Sequence, residues 1–165
     1  MVLIVRATKK LLDRIGPPDL RGGEQSTTVL GEWYATRLAW RPDVLLLVNE
    51  STLLPVLLPL APAATALSRA VDRIAGAMAT YGAADALIAA EVDQMRTRRI
   101  GSTANRSVVG VMNEFTYFAD AYRDEASPDL DKLAARLATT PCSPLRGTHI
   151  SPDRAFTALV RAAPR

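Results

Sequence analysis

An anion-binding constellation is predicted at the start of one helix. Ser102, Thr103 and Asn105 can each cap the apolar run that follows them, and Arg106 opens that run. A helix N-terminus carries unpaired N–H groups and a partial positive charge, and guanidinium groups bind phosphate or carboxylate oxygens through paired hydrogen bonds. We therefore predict an anion-binding site here. The predicted ligand-binding residues are Arg98, Arg99, Thr103, Asn105, Arg106, Ser107 and Asn113, with Arg96 adding to the positive field.

A purely structural interpretation of the same residues stays open. In it, the helix is an ordinary capped helix, and Arg106 is solvated or pairs with Glu114 or Asp120. Asn113 would then make a structural contact to a neighbouring loop, because a buried amide needs hydrogen-bond partners.

Other residue types that could do chemistry are few. Cys142 and His149 could form a thiol–imidazole pair, but both lie in one irregular loop, and we interpret them as structural. One cysteine and one histidine are too few for an internal disulfide or a Cys/His metal site. The sequence contains no P-loop, dinucleotide-binding or zinc-protease motif, so we expect no cofactor and no metal, and we assign no catalytic residue.

The first 60 residues predict a strand, a helix and an antiparallel meander. Residues 1–7 are a β-rich run, and residues 8–16 predict a helix that Gly16 ends. Residues 16–28 are rich in Gly, Pro and polar residues and predict a flexible loop. Three further runs predict strands, and Pro55 and Pro59 place the third at a sheet edge. These runs are "GEWYATRLAW", "VLLLVN" and "LLPVLLPL".

From Pro62 onward the apolar residues recur at helical spacing. They predict helices through Leu67–Tyr81, Leu87–Met95 and Val108–Tyr122, separated in one place by a brief strand or loop in "RTRRIGST". Two Ser-Pro-Asp triplets, at 127–129 and 151–153, each predict a helix with serine as the N-cap and proline at the first position.

This order of elements predicts an α+β fold in a single domain over residues 1–165. We expect a small, mostly antiparallel sheet of about four strands, packed on one face against four to six helices. The chain mass of 17.8 kDa and the 48% hydrophobic content are sufficient for one real core.

Charge and hydropathy limit the classes of partner. The net charge of +3 and the pI of about 9.3 permit contact with phosphates but fall short of the dense Lys/Arg cover of duplex binders.

The N-terminus lacks the basic-then-apolar order of a signal peptide. The most apolar stretch is interrupted by "NEST", Pro55 and Pro59, which argues against a membrane helix. We expect a soluble, cytoplasmic protein.

Several segments together resemble a family of small bacterial proteins classed as a domain of unknown function. They are "RATKKLLDRIG", "GEWYATRLAWRPDVLLLVNESTLLPVLLPLA", "TANRSVVGVMNEF" and "TPCSPL…SPDR" within residues 140–154. The resemblance implies a single bacterial domain and carries over no catalytic residue. It also implies a shared T-x-NRSV-x-G-x-MN signature, formed by Thr103, Asn105, Arg106, Ser107, Gly110, Met112 and Asn113.

Three functional hypotheses follow. The first is a binding or regulatory module for an anionic partner, either a nucleic acid, a nucleotide or an acidic protein, held at residues 103–107. The second is an RNA- or nucleotide-acting enzyme such as the toxin of a toxin–antitoxin pair, with Arg106 stabilising charge and Glu114, Asp120 or His149 as base. The third is a structural interaction protein that pairs through a sheet edge or an apolar helix face, which includes a homodimer.

Overall fold

A computed structural model describes residues 2–123 and 128–163 and shows an α+β fold. The predicted fold class is thus confirmed. The described elements are β1 (Leu3–Ala7), α1 (Lys9–Ile15), β2 (Trp33–Leu38), β3 (Val44–Asn49), β4 (Pro55–Pro59), a 3-10 turn (Ala63–Thr65), α2 (Ala66–Thr80), α3 (Asp85–Gln94), β5 (Arg98–Ser102), α4 (Arg106–Tyr122), α5 (Leu130–Ala138), a second 3-10 turn (Ser143–Leu145) and α6 (Pro152–Ala162).

The sheet is mixed, and its strand order is β4-β3-β2-β1-β5. The predicted meander β2-β3-β4 is antiparallel, whereas β1 lies parallel to both β2 and β5. The sheet therefore has five strands where about four were expected, and two of its four strand pairings are parallel, so it is mixed rather than mostly antiparallel. Residues 8–32 form a crossover long enough to return the chain parallel to β1, and "RTRRIGST" contributes a fifth strand at the edge.

Helices cover both faces of the sheet, which corrects the expectation of one covered face. Leu45 and Leu47 of β3 join a core with α1, α2 and α3, while Leu46 and Val48 join a second core with α4 and α5. Successive strand residues point to opposite faces, so a strand buried at every position needs cover on both sides.

Strand β4 forms one edge of the sheet, as its prolines predicted. The guanidinium group of Arg69 donates hydrogen bonds to the carbonyl oxygens of Pro59 (2.6 Å), Leu60 (3.0 Å) and Pro62 (3.0 Å). These contacts satisfy backbone acceptors where β4 leads toward α2.

The turn between β3 and β4 is organised by the fully buried Asn49. Its Oδ1 accepts hydrogen bonds from the backbone N–H groups of Ser51 (3.2 Å) and Thr52 (3.0 Å), and its Nδ2 donates to Leu30 O (2.8 Å). The side chain therefore holds both the predicted "NEST" turn and the segment before β2.

Strand β5 forms the other edge and is covered by the loop of residues 16–28. The N–H groups of Asp19 and Leu20 donate to Ile100 O, and Ile100 N donates to Asp19 Oδ1 at 2.7 Å. The predicted flexibility of this loop stays a prediction.

Helix ends follow local signals, with one exception. Ser151 is the residue before α6, Pro152 is its first residue and Asp153 lies in its first turn, as predicted, but the Ser151 side chain makes no capping hydrogen bond to the helix backbone. Helix α5 instead begins at Leu130, because the carboxylate of Asp129 accepts a hydrogen bond from Lys132 N (3.1 Å) and is the cap. Ser127, the predicted cap, lies outside the described residues, and Pro128 precedes the helix.

Candidate functional site

The start of α4 is capped by Asn105. Its side-chain Oδ1 accepts hydrogen bonds from Ser107 N (2.9 Å) and Val108 N (3.3 Å). Of the three predicted capping residues, the structure thus selects Asn105. Because this side chain occupies two of the free N–H groups at the helix N-terminus, an anion could reach them only by displacing it.

The end of β5 and the middle of β2 position this cap. Gly101 and Ser102 lie beside Arg6 and Ala7 of β1, and the chain then turns into α4. Tyr34 of β2 is buried, and its phenolic oxygen accepts a hydrogen bond from Asn105 N at 2.8 Å. The first turn of α4 is therefore fixed against the centre of the sheet.

Arg106 is exposed and forms no ion pair with a described carboxylate. The alternative pairing with Asp120 is not observed, since Asp120 Oδ1 accepts a hydrogen bond from Trp40 Nε1 at 2.6 Å. Glu114 is also exposed. The guanidinium group of Arg106 is therefore available to a partner.

The upstream arginines do not gather around α4. Arg98 and Arg99 are successive residues of β5 and point to opposite faces of the sheet. Arg99 Nε donates to Glu24 Oε1 at 3.3 Å, and the exposed Arg96 pairs with Asp93 at 3.0 Å. Neither Arg98 nor Arg99 is hydrogen-bonded to a residue of the 103–107 segment within the described part of the chain.

A charge cluster beside β5 was missed by sequence reasoning. Arg6 donates through Nε (3.0 Å) and Nη2 (3.3 Å) to the Glu32 carboxylate, and through Nη1 to Ser102 O (3.2 Å). Burial, followed by the nearby charge of Glu32, raises the pKa of Glu50, and the neighbouring Glu32 also raises the pKa of Arg6 through its hydrogen bond. Because Glu32 already neutralises Arg6, this cluster adds little to anion binding. The sequence feature that could have indicated this cluster is Arg6, a charged residue within the otherwise apolar run "LIVRA".

The solvent side of α4 carries an uninterrupted set of exposed residues. At 3.6 residues per turn they span about 120° of the helix circumference. We call this surface the α4 outer face: Arg106, Ser107, Gly110, Asn113, Glu114 and Tyr117. The expected contact of Asn113 with a neighbouring loop is not observed among the described residues, and its side chain is exposed.

Gly110 and Tyr117 of the α4 outer face lie outside the core, although the ring of Tyr117 contacts the ring of Phe118 edge-on, with 5.8 Å between the centroids. A Cβ atom on Gly110 would meet no atom within 4 Å, so the fold does not require glycine there. An exposed mid-helix glycine costs about 1 kcal/mol relative to alanine. Tyr117 is 73% exposed, more than any other large hydrophobic residue in the described ranges.

A protein-family model described as "Domain of unknown function (DUF6933)" matches residues 4–155. The chain belongs to the DUF6933 family. Comparison with curated proteins and with solved structures yields no match.

The Cys142–His149 pair does not form in this DUF6933 domain. Cys142 is buried, and its Sγ donates to Thr140 O at 3.4 Å, whereas His149 is exposed. Burial, with a smaller contribution from the charge of Glu114, raises the pKa of the Cys142 thiol to about 11. A nucleophilic thiol needs a lowered pKa, so this cysteine is structural.

A groove of about 290 Å³ lies elsewhere on the DUF6933 domain, beside the β4 edge between α2 and α5. Arg73 of α2 pairs with Asp131 of α5 at 2.7 Å, and both line the groove. None of the predicted ligand-binding residues lines it, so the groove and the α4 outer face are separate surfaces.

The described part of the DUF6933 domain offers no metal centre. No group of three or more His, Cys, Asp or Glu residues that could hold an ion occurs within residues 2–123 and 128–163. Over the same ranges, none of the helices has the length and apolar character needed to cross a membrane.

Proposed function

We propose that this DUF6933 domain is a protein-binding module whose contact surface is the α4 outer face. The observation that carries the proposal is Gly110, an exposed mid-helix glycine that the fold does not require, set between Arg106 and Tyr117. Tyrosine and arginine are the residue types enriched at protein interfaces and at their energetic centres.

Most of the arginine side chains near α4 are already paired with carboxylates, which favours a protein partner over a nucleotide or a nucleic acid. Arg6 and Arg99 are paired with Glu32 and Glu24, and the Asn105 side chain occupies two N–H groups of the α4 N-terminus. Arg106 is then the available cation on this face. One guanidinium group suits a single carboxylate on an acidic protein surface, whereas nucleic-acid binding needs several phosphate contacts.

Site-specific photo-crosslinking in cells that naturally produce the protein tests this function. A benzophenone amino acid replaces Tyr117 in one variant and Val29 in a matched control, because Val29 is 45% exposed and lies outside α4. We expect a protein adduct from position 117 that is stronger than any adduct from position 29. We also expect Arg106→Glu to weaken the adduct from position 117.

Three results would contradict the proposal: no adduct from position 117, an adduct to nucleic acid alone, or an adduct that Arg106→Glu leaves unchanged. The mass of the adduct identifies what was captured, and an adduct of twice the 17.8 kDa chain mass identifies a second copy of the protein.

A further inference from the structure

The backbone groups of Leu57, in the middle of β4, point away from the sheet. At the turn end of the β3–β4 ladder, Asn49 N donates a hydrogen bond to Leu54 O at 3.0 Å. At the opposite end, Leu60 N donates to Asp43 O at 3.1 Å. Because hydrogen-bonded and non-hydrogen-bonded pairs alternate along an antiparallel ladder, the register places Leu57 in a non-hydrogen-bonded pair. Its N–H and C=O groups are therefore directed to the outer edge of the sheet.

Two prolines and one arginine limit what this edge can pair with. By the same alternation, Pro55 and Pro59 also face outward, and proline has no N–H to donate. Arg69 already donates to Pro59 O at 2.6 Å. Within the described residues, the outward groups of β4 without a partner are thus Pro55 O, Leu57 N–H and Leu57 O. This order of acceptor, donor and acceptor is complementary to three residues of extended backbone.

These groups lie on the floor of the groove between α2 and α5. Pro55 and Leu57 both line the groove, and Leu57 is 1% exposed. The walls beside them carry small residues, which leave room for an incoming chain: Gly76, Ala77, Ala134 and Ala135. Buried backbone groups are nearly always hydrogen-bonded, so this floor favours an occupant that can pair with it.

The charges that line the groove favour a positive group at one end. Asp72, Arg73 and Asp131 line it and together carry one negative charge. Arg73 bonds to Asp131 at 2.7 Å, which joins α2 to α5 across the sheet edge. Helix α2 runs back along β4 from Arg69, so the ion pair and Asp72 lie toward the Pro59 end. An antiparallel peptide would place its amino end there, next to a carboxylate and an ion pair that limits the groove.

We propose that this groove binds the free amino terminus of a partner protein in an extended conformation. The first residue lies opposite Leu57: its carbonyl oxygen accepts from Leu57 N–H, and its α-ammonium group donates to Leu57 O beside Asp72. The third residue donates its N–H to Pro55 O. The binding mode is strand addition at a sheet edge, which the prolines limit to three hydrogen bonds. This site is separate from the α4 outer face and does not depend on the function proposed for that surface.

NMR of the full chain with trialanine amide as the probe tests this site. The probe has a free α-ammonium group, and its methyl side chains suit walls of glycine and alanine. We expect it to move the Leu57 amide proton signal downfield with a saturable dependence on probe concentration, because a new hydrogen bond forms. The Gly110 amide signal on α4 should stay in place, since α4 does not line the groove.

Modified probes separate the charge from the backbone pairing. Acetyl-trialanine amide keeps a donor at its first residue but has no charge, and it should bind about fivefold more weakly. N-methylation of the third residue removes the donor to Pro55 O and should also weaken binding. Asp72→Asn should lower the affinity for trialanine amide by about threefold and leave that for the acetylated probe unchanged.

Two glycine variants separate the groove from the fold. Gly76 and Gly110 are both exposed helix residues at which a Cβ would meet no atom within 4 Å. Leucine has a higher helix propensity than glycine, so neither Gly76→Leu nor Gly110→Leu should lower thermal stability. Gly76→Leu places a side chain in the groove and should abolish the Leu57 shift. Gly110→Leu is the matched control and should bind trialanine amide as the wild-type protein does.

A Leu57 signal that trialanine amide does not move would overturn the proposal, and so would a shift that Gly76→Leu leaves intact. Equal binding of the acetylated probe, or an Asp72→Asn variant with unchanged affinity, would show that the amino terminus is not what the groove recognises. None of these results bears on the α4 outer face, because cross-linking from position 117 tests that surface independently.

Discussion

The hydroxyl of Tyr34 and the backbone N–H of Asn105 meet at 2.8 Å, which joins the middle of β2 to the start of α4 across 71 positions of sequence. Tyr34 is 1% exposed and lies in the core beneath α4. The bond ties the direction of the α4 outer face to the sheet, so that the surface proposed for binding is held by the core.

Tyr34→Phe should lower the free energy of unfolding by about 1 kcal/mol, because the Asn105 N–H loses a buried acceptor while the ring packing is kept. Urea denaturation measures this difference. Tyr117→Phe is the control, since that ring is largely exposed, and it should leave the free energy of unfolding unchanged. Equal stability of Tyr34→Phe and the wild-type protein would show that the hydrogen bond contributes nothing.

Asn105→Ala should lower the free energy of unfolding by about 1 kcal/mol, since the N–H groups of Ser107 and Val108 lose their cap. Asn105→Asp should restore most of it, because a carboxylate accepts the same hydrogen bonds and interacts favourably with the helix dipole. Thermal unfolding measures both variants. If Asn105→Ala changed binding but not stability, Asn105 would be a contact residue rather than a cap.

Glu50→Gln should stabilise the protein at neutral pH. The pKa of Glu50 is raised in the fold, by burial and then by Glu32, so folding favours its protonated form. The stability that Glu50 contributes is thus present below its ordinary pKa of 4.5 and is lost as pH rises through the raised folded pKa. Chemical denaturation as a function of pH should show a gain for Glu50→Gln near neutrality that shrinks toward acid. A gain that does not depend on pH would contradict this explanation.

Native Cys142 should resist thiol reagents. With a pKa of about 11, only about one thiol in a thousand is ionised at pH 8, and the side chain is buried. A chromogenic disulfide reagent should therefore label it slowly in buffer and rapidly in denaturant. Fast labelling of the folded protein would show that the loop opens and would revive the thiol–imidazole hypothesis.

Local elements could be predicted because their signals lie within a few residues. Gly16 follows α1, Pro55 and Pro59 lie in an edge strand, and the helical spacing of Val108 and Met112 matches the buried side of α4. Family membership was also predictable, from motifs spread over most of the chain. The predicted start of α5 was wrong because Asp129, and not the predicted Ser127, is the residue that caps this helix.

The candidate site was only partly predictable. Arg106 and Ser107 are exposed at the α4 N-terminus, as binding requires, but the partners of Arg6 and Arg99 come from loops distant in sequence. The missed residue was Tyr117, since an aromatic residue in an amphipathic helix is more often part of the core. Its exposure depends on the rotation of α4 about its own axis, which the contacts with β2 and β3 decide.

By itself the sequence determined the alternation and periodicity of each segment, the β2-β3-β4 meander and the family, and it limited the cap of α4 to three residues. Only the tertiary structure decided that β1 pairs parallel with β2 and β5, that helices cover both faces, and that Glu32 and Glu24 neutralise two of the arginines. The physical reason is the separation along the chain of the residues that interact. Turns, caps and periodicity depend on neighbours along the chain, whereas strand pairing and ion pairing join residues that only the completed sheet brings within a few ångströms.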